Sequence, residues 1–475
     1  MAKLLGAAEW TGKIYSGGWI DGAGQPITSV EPATGERLAD VGSASAADVR
    51  RAVQRACDGQ PAWAATSYAL RASVLRRAAD LLVSERDELE DWIVREAGLP
   101  RYFAGALGAA EEFRQAAALA SAPLGHVLPS TQQRLSLTRR LPVGVVGVIA
   151  PFNAPLMLAA RALAPALAVG NAVVLKPDPR TAVCGGILFA RLLEEAGLPA
   201  DVLHVLPGGS DVGRELVSHP DVPVIAFTGS VTAGREVARL AAPLLKRVHL
   251  ELGGNSPLVV LEDADVEHAA RAGSFGSFHN AGQVCMATSR HIVAAPLVEE
   301  YTALLAERAE KLRIGNPASG DVAYGPLIDE AARDRVHSVV YDTVNAGARL
   351  VTGGSYERLF YRPTVLADVP TDARAYEEEI FGPVAPIVAF KDIDEAARLA
   401  ARSPFGLSLA VITRDVMSGL RLAERIPVGM VHINDQTSTD EPIAPFGGVG
   451  LSGNGTASAV RRRTSPLSQK CNGSR

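Results

Sequence analysis

Aromatic side chains are scarce in this chain, at 5%, so stacking platforms for unpaired nucleobases are not expected. Positive charge is not in excess: 47 Lys and Arg stand against 52 Asp and Glu, a formal net charge of −5. That speaks against a nucleic-acid partner. Cysteine is rare. The four, at 57, 184, 285 and 471, lie far apart, form no Cys-x-x-Cys, and are not joined by the nine histidines in a ligand spacing. Neither a disulfide framework nor a metal site is expected. The start lacks an apolar core of signal-peptide length, because Glu9 interrupts it. The expectation is a reducing, cytoplasmic compartment. A membrane span is not expected either. Leu141 to Ala160 carries no charge, but Pro142, Gly144, Gly147, Pro151, Asn153 and Pro155 break it, so a strand, a turn and a helix start explain it better than a span.

What is present is ordinary globular material: 475 residues, 47% apolar and 21% charged. At roughly 150 residues per domain this is about three domains or two large ones, enough to bury a core without staples. Residues 48–121 read as helices, with Asp48 as a candidate N-cap and helical spacing from Leu70 to Ala97. Gln133 to Arg140 alternates polar and apolar residues, the pattern of a half-exposed strand.

From Val143 the pattern becomes strand, helix, strand. Strands are expected at Val143–Ile149, Ala172–Leu175, Val202–Leu206, Val224–Phe227 and Val248–Leu252. Helices are expected at Leu156–Val169, Ala182–Ala196, Val212–Ser218 and Thr232–Ala242. Such alternation predicts an α/β fold with a parallel sheet of right-handed crossovers, whose ligands bind beyond the carboxyl ends of the strands. A second cycle starts at Pro257–Leu261. It has helices near Val266–His279, Leu297–Leu312, Glu330–Ala346 and Ile393–Ala401, and strands at Tyr361–Val365 and Val384–Phe390.

Three segments carry candidate chemistry. Cys285 lies among small residues in Asn280-Ala-Gly-Gln-Val-Cys285. It is a nucleophile if it is accessible, and an inert core thiol otherwise. Glu251 closes a strand before Leu-Gly-Gly-Asn-Ser-Pro257. It can act as a general base if burial raises its pKa, or it is a solvated strand-end acid. Phe227-Thr-Gly-Ser-Val-Thr-Ala-Gly234 reads as strand, turn and helix start, where backbone amides can meet a phosphate. The three-glycine dinucleotide pattern occurs instead at Gly448-Val-Gly-Leu-Ser-Gly453, with 22 residues after it. That is too short for the βαβ unit the pattern requires, so it is set aside.

Taken together, Pro151-Phe-Asn-Ala-Pro155, Leu175-Lys-Pro177, Phe227-Thr-Gly-Ser230, Glu251-Leu-Gly-Gly-Asn-Ser-Pro257, Gly282-Gln-Val-Cys285, Glu379-Ile-Phe-Gly-Pro383 and Pro445-Phe-Gly-Gly448 resemble the NAD(P)-dependent aldehyde dehydrogenase superfamily in order and spacing. The resemblance spans about residues 13–455. Ala150-Pro-Phe-Asn-Ala-Pro155 and Lys176-Pro-Asp-Pro-Arg-Thr181 are similar to its benzaldehyde and vanillin dehydrogenase branch. The resemblance implies two Rossmann-like α/β domains with parallel sheets plus a small β oligomerisation element. The dinucleotide-binding domain would take residues 1–125 and 142–250, the catalytic domain 251–434, and the oligomerisation arm 126–141 and 435–475. It implies Cys285 as nucleophile, Glu251 as base for thioester hydrolysis, and Asn153 with the Cys285 N–H as oxyanion donors. It also implies Lys176, Phe227, Gly229, Ser230, Gly234, Glu379 and Phe381 around the cofactor. The implied reaction turns an aromatic aldehyde into its acid with NAD, NADP also being accepted, in a homodimer or homotetramer.

Two departures stand out. Many members carry Glu where this chain has Pro179, which removes a repulsion against the 2′-phosphate of NADP, and Arg180 adds a cation nearby. After Gly455 the usual hydrophobic strand is replaced by a polar, Arg-rich tail, which is expected to weaken assembly. Two other classes stay open. One is a cofactor-independent thiol esterase using Cys285, Asn153 and Glu251. The other is a non-catalytic structural protein that keeps the fold.

Overall fold

The computed structural model describes residues 4–6 and 8–454; the tail after Gly455 lies outside them. Two seven-stranded sheets organise the chain. In the first, the strands run in the order Arg247–Glu251, Val224–Thr228, Val145–Ile149, Ala172–Lys176, Leu203–Val205, Lys13–Ser16, Trp19–Asp21. The first five are mutually parallel. The last two form an antiparallel edge. Helices cover both faces, so the central strands are continuous apolar runs: Val145, Val146, Val173, Val174 and Leu175 are all buried.

The second sheet runs Arg349–Thr352, Thr364–Ala367, Val384–Phe390, Thr288–Ala294, Ser256–Val260, Ser408–Ile412, Met430–Ile433. It is parallel except where Arg349–Thr352 pairs with Thr364–Ala367. The α/β class is as expected, but both sheets are mixed rather than purely parallel. The Tyr361–Val365 expectation divides at Pro363, which has no N–H for a ladder. Phe360–Tyr361 goes to a small ribbon with Tyr356–Glu357 and Thr364–Ala367 to the sheet.

The helices of the N-terminal region are Ala46–Ala65, Tyr68–Ser84, Arg86–Ala97 and Ala106–Leu119. The first is capped by Ser45, one turn before the expected Asp48. Asp48 instead completes a capping box from the third helical position. The helix Pro155–Ala168 opens on a proline whose fixed φ suits a first turn. It buries Leu156, Ala159, Ala160, Leu163 and Ala164 completely, and each such leucine contributes roughly 1.5–3 kcal/mol.

Two peripheral segments matter for the site. Within Gln133–Arg140 only Ser136–Leu137 is strand, paired with Val127–Leu128. This short hairpin leaves Leu124, Val127, Leu135, Leu137 and Leu141 exposed. At the other end of the chain, Leu252 N–H donates to Ser452 O (3.0 Å), and Leu250 N–H to Asn454 Oδ1 (2.9 Å). Glu251 bridges Gly453. The outer edge of the strand Arg247–Glu251 is thereby covered.

Candidate active site

Cys285 follows the helix Val266–Phe278 through a tight loop. Asn280, Ala281 and Gly282 take φ of 49°, 54° and 68°. The left-handed region costs a non-glycine residue on the order of 1–3 kcal/mol, so the loop needs anchors. Gln283 is the main one. Its Nε2 donates to Asn280 O (3.4 Å) and Pro326 O (3.2 Å), and its Oε1 accepts from Ile328 N–H (2.9 Å). Asn153 stands at the mouth of the helix Pro155–Ala168 and donates from Nδ2 to Gln283 O (3.0 Å). Asn280 Nδ2 reciprocates to Asn153 O (3.2 Å). The structure therefore brings Asn153 onto the Cys285 loop. Gln283 and Asn280, which hold that loop, were not singled out from sequence; the run of small and amide residues before the cysteine was their signal.

Cys285 is half-buried and packs against an apolar cluster of Val284, Met286, Ala287, Leu407 and Phe446, with Phe103 and Met430 at its margin. Burial pushes its thiol up to about 12, the Glu379 and Glu251 carboxylates adding to the effect and Arg161 opposing it. Glu251 ends its strand almost fully buried, at 4% exposure, and neither carboxylate oxygen has a hydrogen-bond partner. His249 Nε2 lies 3.3 Å from Oε1, off the axis of a hydrogen bond. Burial raises the Glu251 pKa, with His249 opposing. A buried, unsatisfied carboxylate is primed to take a proton.

The residues expected around a cofactor line the carboxyl ends of the first sheet. Ser230 caps the helix Val231–Ala241, accepting from Ala233 N–H (3.2 Å), and the first turn at Thr232 and Ala233 is exposed. Phe227 is buried in the strand below. Gly229 N–H donates to Glu251 O (3.0 Å). Gly234 is needed for close packing, since a Cβ there would collide with Leu252. Lys176 ends the strand Ala172–Lys176, on the far side of Val145–Ile149, is 8% exposed, and donates from Nζ to Pro177 O (3.1 Å). Burial lowers its pKa.

Glu379 accepts from Gly254 N–H (3.2 Å), and a Cβ on Gly253 would collide with its carboxylate. Burial pushes Glu379 up to about 7. Phe381, at φ 53°, meets the Phe152 ring edge-on at 6.0 Å. An open helix N-terminus, a buried lysine and a poised carboxylate are the kinds of group a dinucleotide needs.

Two arginines near the site are already engaged by carboxylates. Arg180 bonds Asp178 through Nε (2.9 Å) and Nη2 (2.8 Å) and Asp329 through Nη1 (2.7 Å), and lies over Phe152 at 4.2 Å. Its cation is already matched by two carboxylates. Arg161, one turn beyond Met157, donates from Nε to Glu112 (3.1 Å) and from Nη2 to Asp440, with its face over Phe446 at 4.8 Å. Met286 O accepts from Thr437 Oγ1 (2.6 Å) and Ser438 Oγ (3.3 Å). Residues 437–440, read from sequence with the arm, thus lie beside Cys285.

Residues 19–465 match the family profile described as the aldehyde dehydrogenase family. The chain is 56% identical over 456 residues to a vanillin dehydrogenase of Amycolatopsis sp., covering 96% of this chain and 94% of that one. It is 46% identical over 449 residues to the benzaldehyde dehydrogenase [NAD(+)] of Pseudomonas putida, covering 94% and 92%. Among solved structures it is similar to a mutant aldehyde dehydrogenase C from Pseudomonas syringae in complex with NAD+ and octanal. That match has a TM-score of 0.89 and 38% identity, with 94% of each chain covered. Among the described residues no helix is long and apolar enough to cross a membrane.

Proposed function

The chain belongs to the aldehyde dehydrogenase family, and from that premise we propose that it oxidises aromatic aldehydes of the benzaldehyde and vanillin kind to their carboxylic acids with NAD. The observation that carries the reading is one arrangement. A cysteine at the edge of an apolar cluster shares its site with a buried carboxylate that has no hydrogen-bond partner. Flat apolar rings gain by burial against such a wall, and the two similar enzymes named above act on ring aldehydes.

Glu251 takes the Cys285 proton, and the sulfur adds to the aldehyde carbon as the carbonyl pair moves to oxygen. Asn153 Nδ2 has two N–H groups. One is held by Gln283 O, and the other is available to the oxyanion together with the Cys285 backbone N–H. When bound, NAD supplies the acceptor for the hydride that the oxidation removes. Lys176 and Glu379 would hold its two riboses, and Gly229, Ser230 and Gly234 its pyrophosphate at the helix start, with Phe227 beneath and Phe381 beside Glu379. Glu251 gives the thiol proton up to solvent, and once the thioester stands on Cys285 it draws a second proton, from water. The hydroxide adds to the acyl carbon, the C–S bond breaks, and the acid leaves with the cysteine restored.

Most of the cofactor residues come from 1–125 and 142–250 and the nucleophile from 251–434, with Asn153 crossing to the nucleophile side and Glu379 and Phe381 crossing to the cofactor side. A second copy covering the exposed hairpin leucines accounts for their exposure, and we read the protein as an oligomer on that basis. Reduced-nicotinamide absorbance on mixing protein, NAD and a panel of aldehydes tests the activity. Benzaldehyde and vanillin are expected to react best; a strong preference for short aliphatic aldehydes refutes the aromatic assignment.

A further inference from the structure

The Arg161 cluster has a chemistry of its own. Three ionised groups from distant parts of the chain meet there: Glu112 on the helix Ala106–Leu119, Arg161 on Pro155–Ala168, and Asp440 on the segment after Met430–Ile433. Their side chains are 7%, 10% and 11% exposed, so salt and water screen them little. Two carboxylates against one guanidinium leave a formal charge of −1. The cluster sits on the substrate side. Arg161 covers Phe446, a member of the apolar cluster around Cys285, and Ser438, two residues before Asp440, is bonded to the Met286 carbonyl. The charges of Arg161 and Asp440 are felt at both Cys285 and Glu251.

We propose that the Arg161–Asp440 pair reads the substituents of the substrate ring: Asp440 accepts a ring hydroxyl, and the surplus negative charge turns away rings that carry a carboxylate. This rests on the aromatic-aldehyde reading above and refines it. A carboxylate offers about four lone-pair sites, and Arg161 engages Asp440 through Oδ2. A neutral phenol O–H brings a donor and no charge, so it adds a charge-assisted hydrogen bond in a dry place. An anionic ring would need a free cation. Arg161 has its Nε on Glu112, its Nη2 on Asp440 and its face on Phe446, and binding the anion would put a second surplus negative charge beside a buried carboxylate pair.

The test compares kcat/KM for benzaldehyde, 4-hydroxybenzaldehyde and 4-carboxybenzaldehyde at saturating NAD. The hydroxyl ring is expected to exceed the plain ring by about tenfold, the scale of a hydrogen bond to a charged group. The carboxyl ring is expected to fall below the plain ring by about as much. In Asp440→Asn the hydroxyl-to-plain ratio should drop toward one, and the carboxyl-to-plain ratio should rise about tenfold, because the acceptor is weakened and the surplus charge is gone. Equal use of the hydroxyl and plain rings by the unaltered protein overturns the proposal. So does a preference for the carboxyl ring, which would make Arg161 an anion site, and so does an Asp440→Asn protein with both ratios unmoved. The unaltered protein decides the matter even if the variant is insoluble. Silence toward all three rings removes the aromatic reading and this one with it; turnover without discrimination removes this one alone.

Discussion

Asn153 Nδ2 donates to the backbone carbonyl of Gln283 at 3.0 Å, two residues before Cys285. The side chain placed to steady an oxyanion is also a strut of the loop that carries the nucleophile. Replacing it removes both. Asn153→Ala is expected to lower kcat by about 10²- to 10³-fold, the usual loss of one oxyanion donor, and also to slow alkylation of Cys285 in the absence of substrate. A fall in kcat with unchanged alkylation would separate the two roles.

The division of labour between thiol and carboxylate gives a kinetic signature. Cys285→Ala should abolish aldehyde oxidation and any ester hydrolysis, since both need the sulfur. Glu251→Gln should collapse steady-state turnover while leaving some cofactor reduction in a first-turnover burst, if its heaviest duty is hydrolysis. Rapid-mixing absorbance separates burst from steady state, and full steady-state rates in either variant would contradict the assigned role.

Without cofactor, Cys285 is a thiol at neutral pH, because burial and two neighbouring carboxylates push it up to about 12. Iodoacetamide modification of the cofactor-free protein should therefore be slow at pH 7 and still rising at pH 10. A plateau near pH 8 would show that neither burial nor the carboxylates hold the thiol up.

Glu379 titrates nearer neutrality. Burial raises it from 4.5 to about 7, so its neutral form is the one the fold prefers. The stability it contributes is full below about pH 4.5 and is lost as pH rises through about 7. Cofactor binding has the opposite sign, because a ribose hydroxyl bonds better to a carboxylate than to the acid. NAD affinity, followed by fluorescence titration, should improve as pH rises from 6 to 8. In Glu379→Gln that dependence should flatten, and the fall in melting temperature over the same range should shrink.

Arg180 sets a limit on NADP. With Pro179 in place no carboxylate stands there to repel a 2′-phosphate, yet the neighbouring guanidinium is bound to Asp178 and Asp329. NADP should be accepted less well than NAD, by less than about a thousandfold, roughly 4 kcal/mol. Asp329→Asn should narrow the gap by roughly two- to fivefold, the worth of one partly exposed charge. Asp329 Oδ1 also caps the helix Glu330–Asn345, and Asn caps as well as Asp, so the helix should survive. An unchanged or wider ratio would mean that Arg180 does not face the phosphate.

What could be read from the sequence follows from physics that is local in the chain. Val145–Ile149 and Ala172–Lys176 are buried on both faces, so their apolar runs announce them. Thr288–Ala294 escaped because it contains Ser289, Arg290 and His291 and yet is wholly buried. Arg290 satisfies itself on the carbonyls of Asn255, Leu399 and Ala400, and polar residues so served leave no apolar pattern. The Cys285 and Glu251 positions were marked by glycines and small residues around them. The Arg161–Asp440 pair was not: the family resemblance puts Arg161 on the helix beside the substrate, but 279 residues separate it from Asp440 and nothing local marked Asp440 as its partner.

The hydrogen bonds that join Ser452 and Asn454 to Leu252 and Leu250 make the far end of the described chain a wall of the site. The strand bearing Glu251 has one neighbour in its own sheet and borrows its other from residues about 200 positions later. For anyone trimming this protein, a stop codon placed before Leu451 is an active-site mutation, because it strips the outer hydrogen bonds from the strand that presents Glu251.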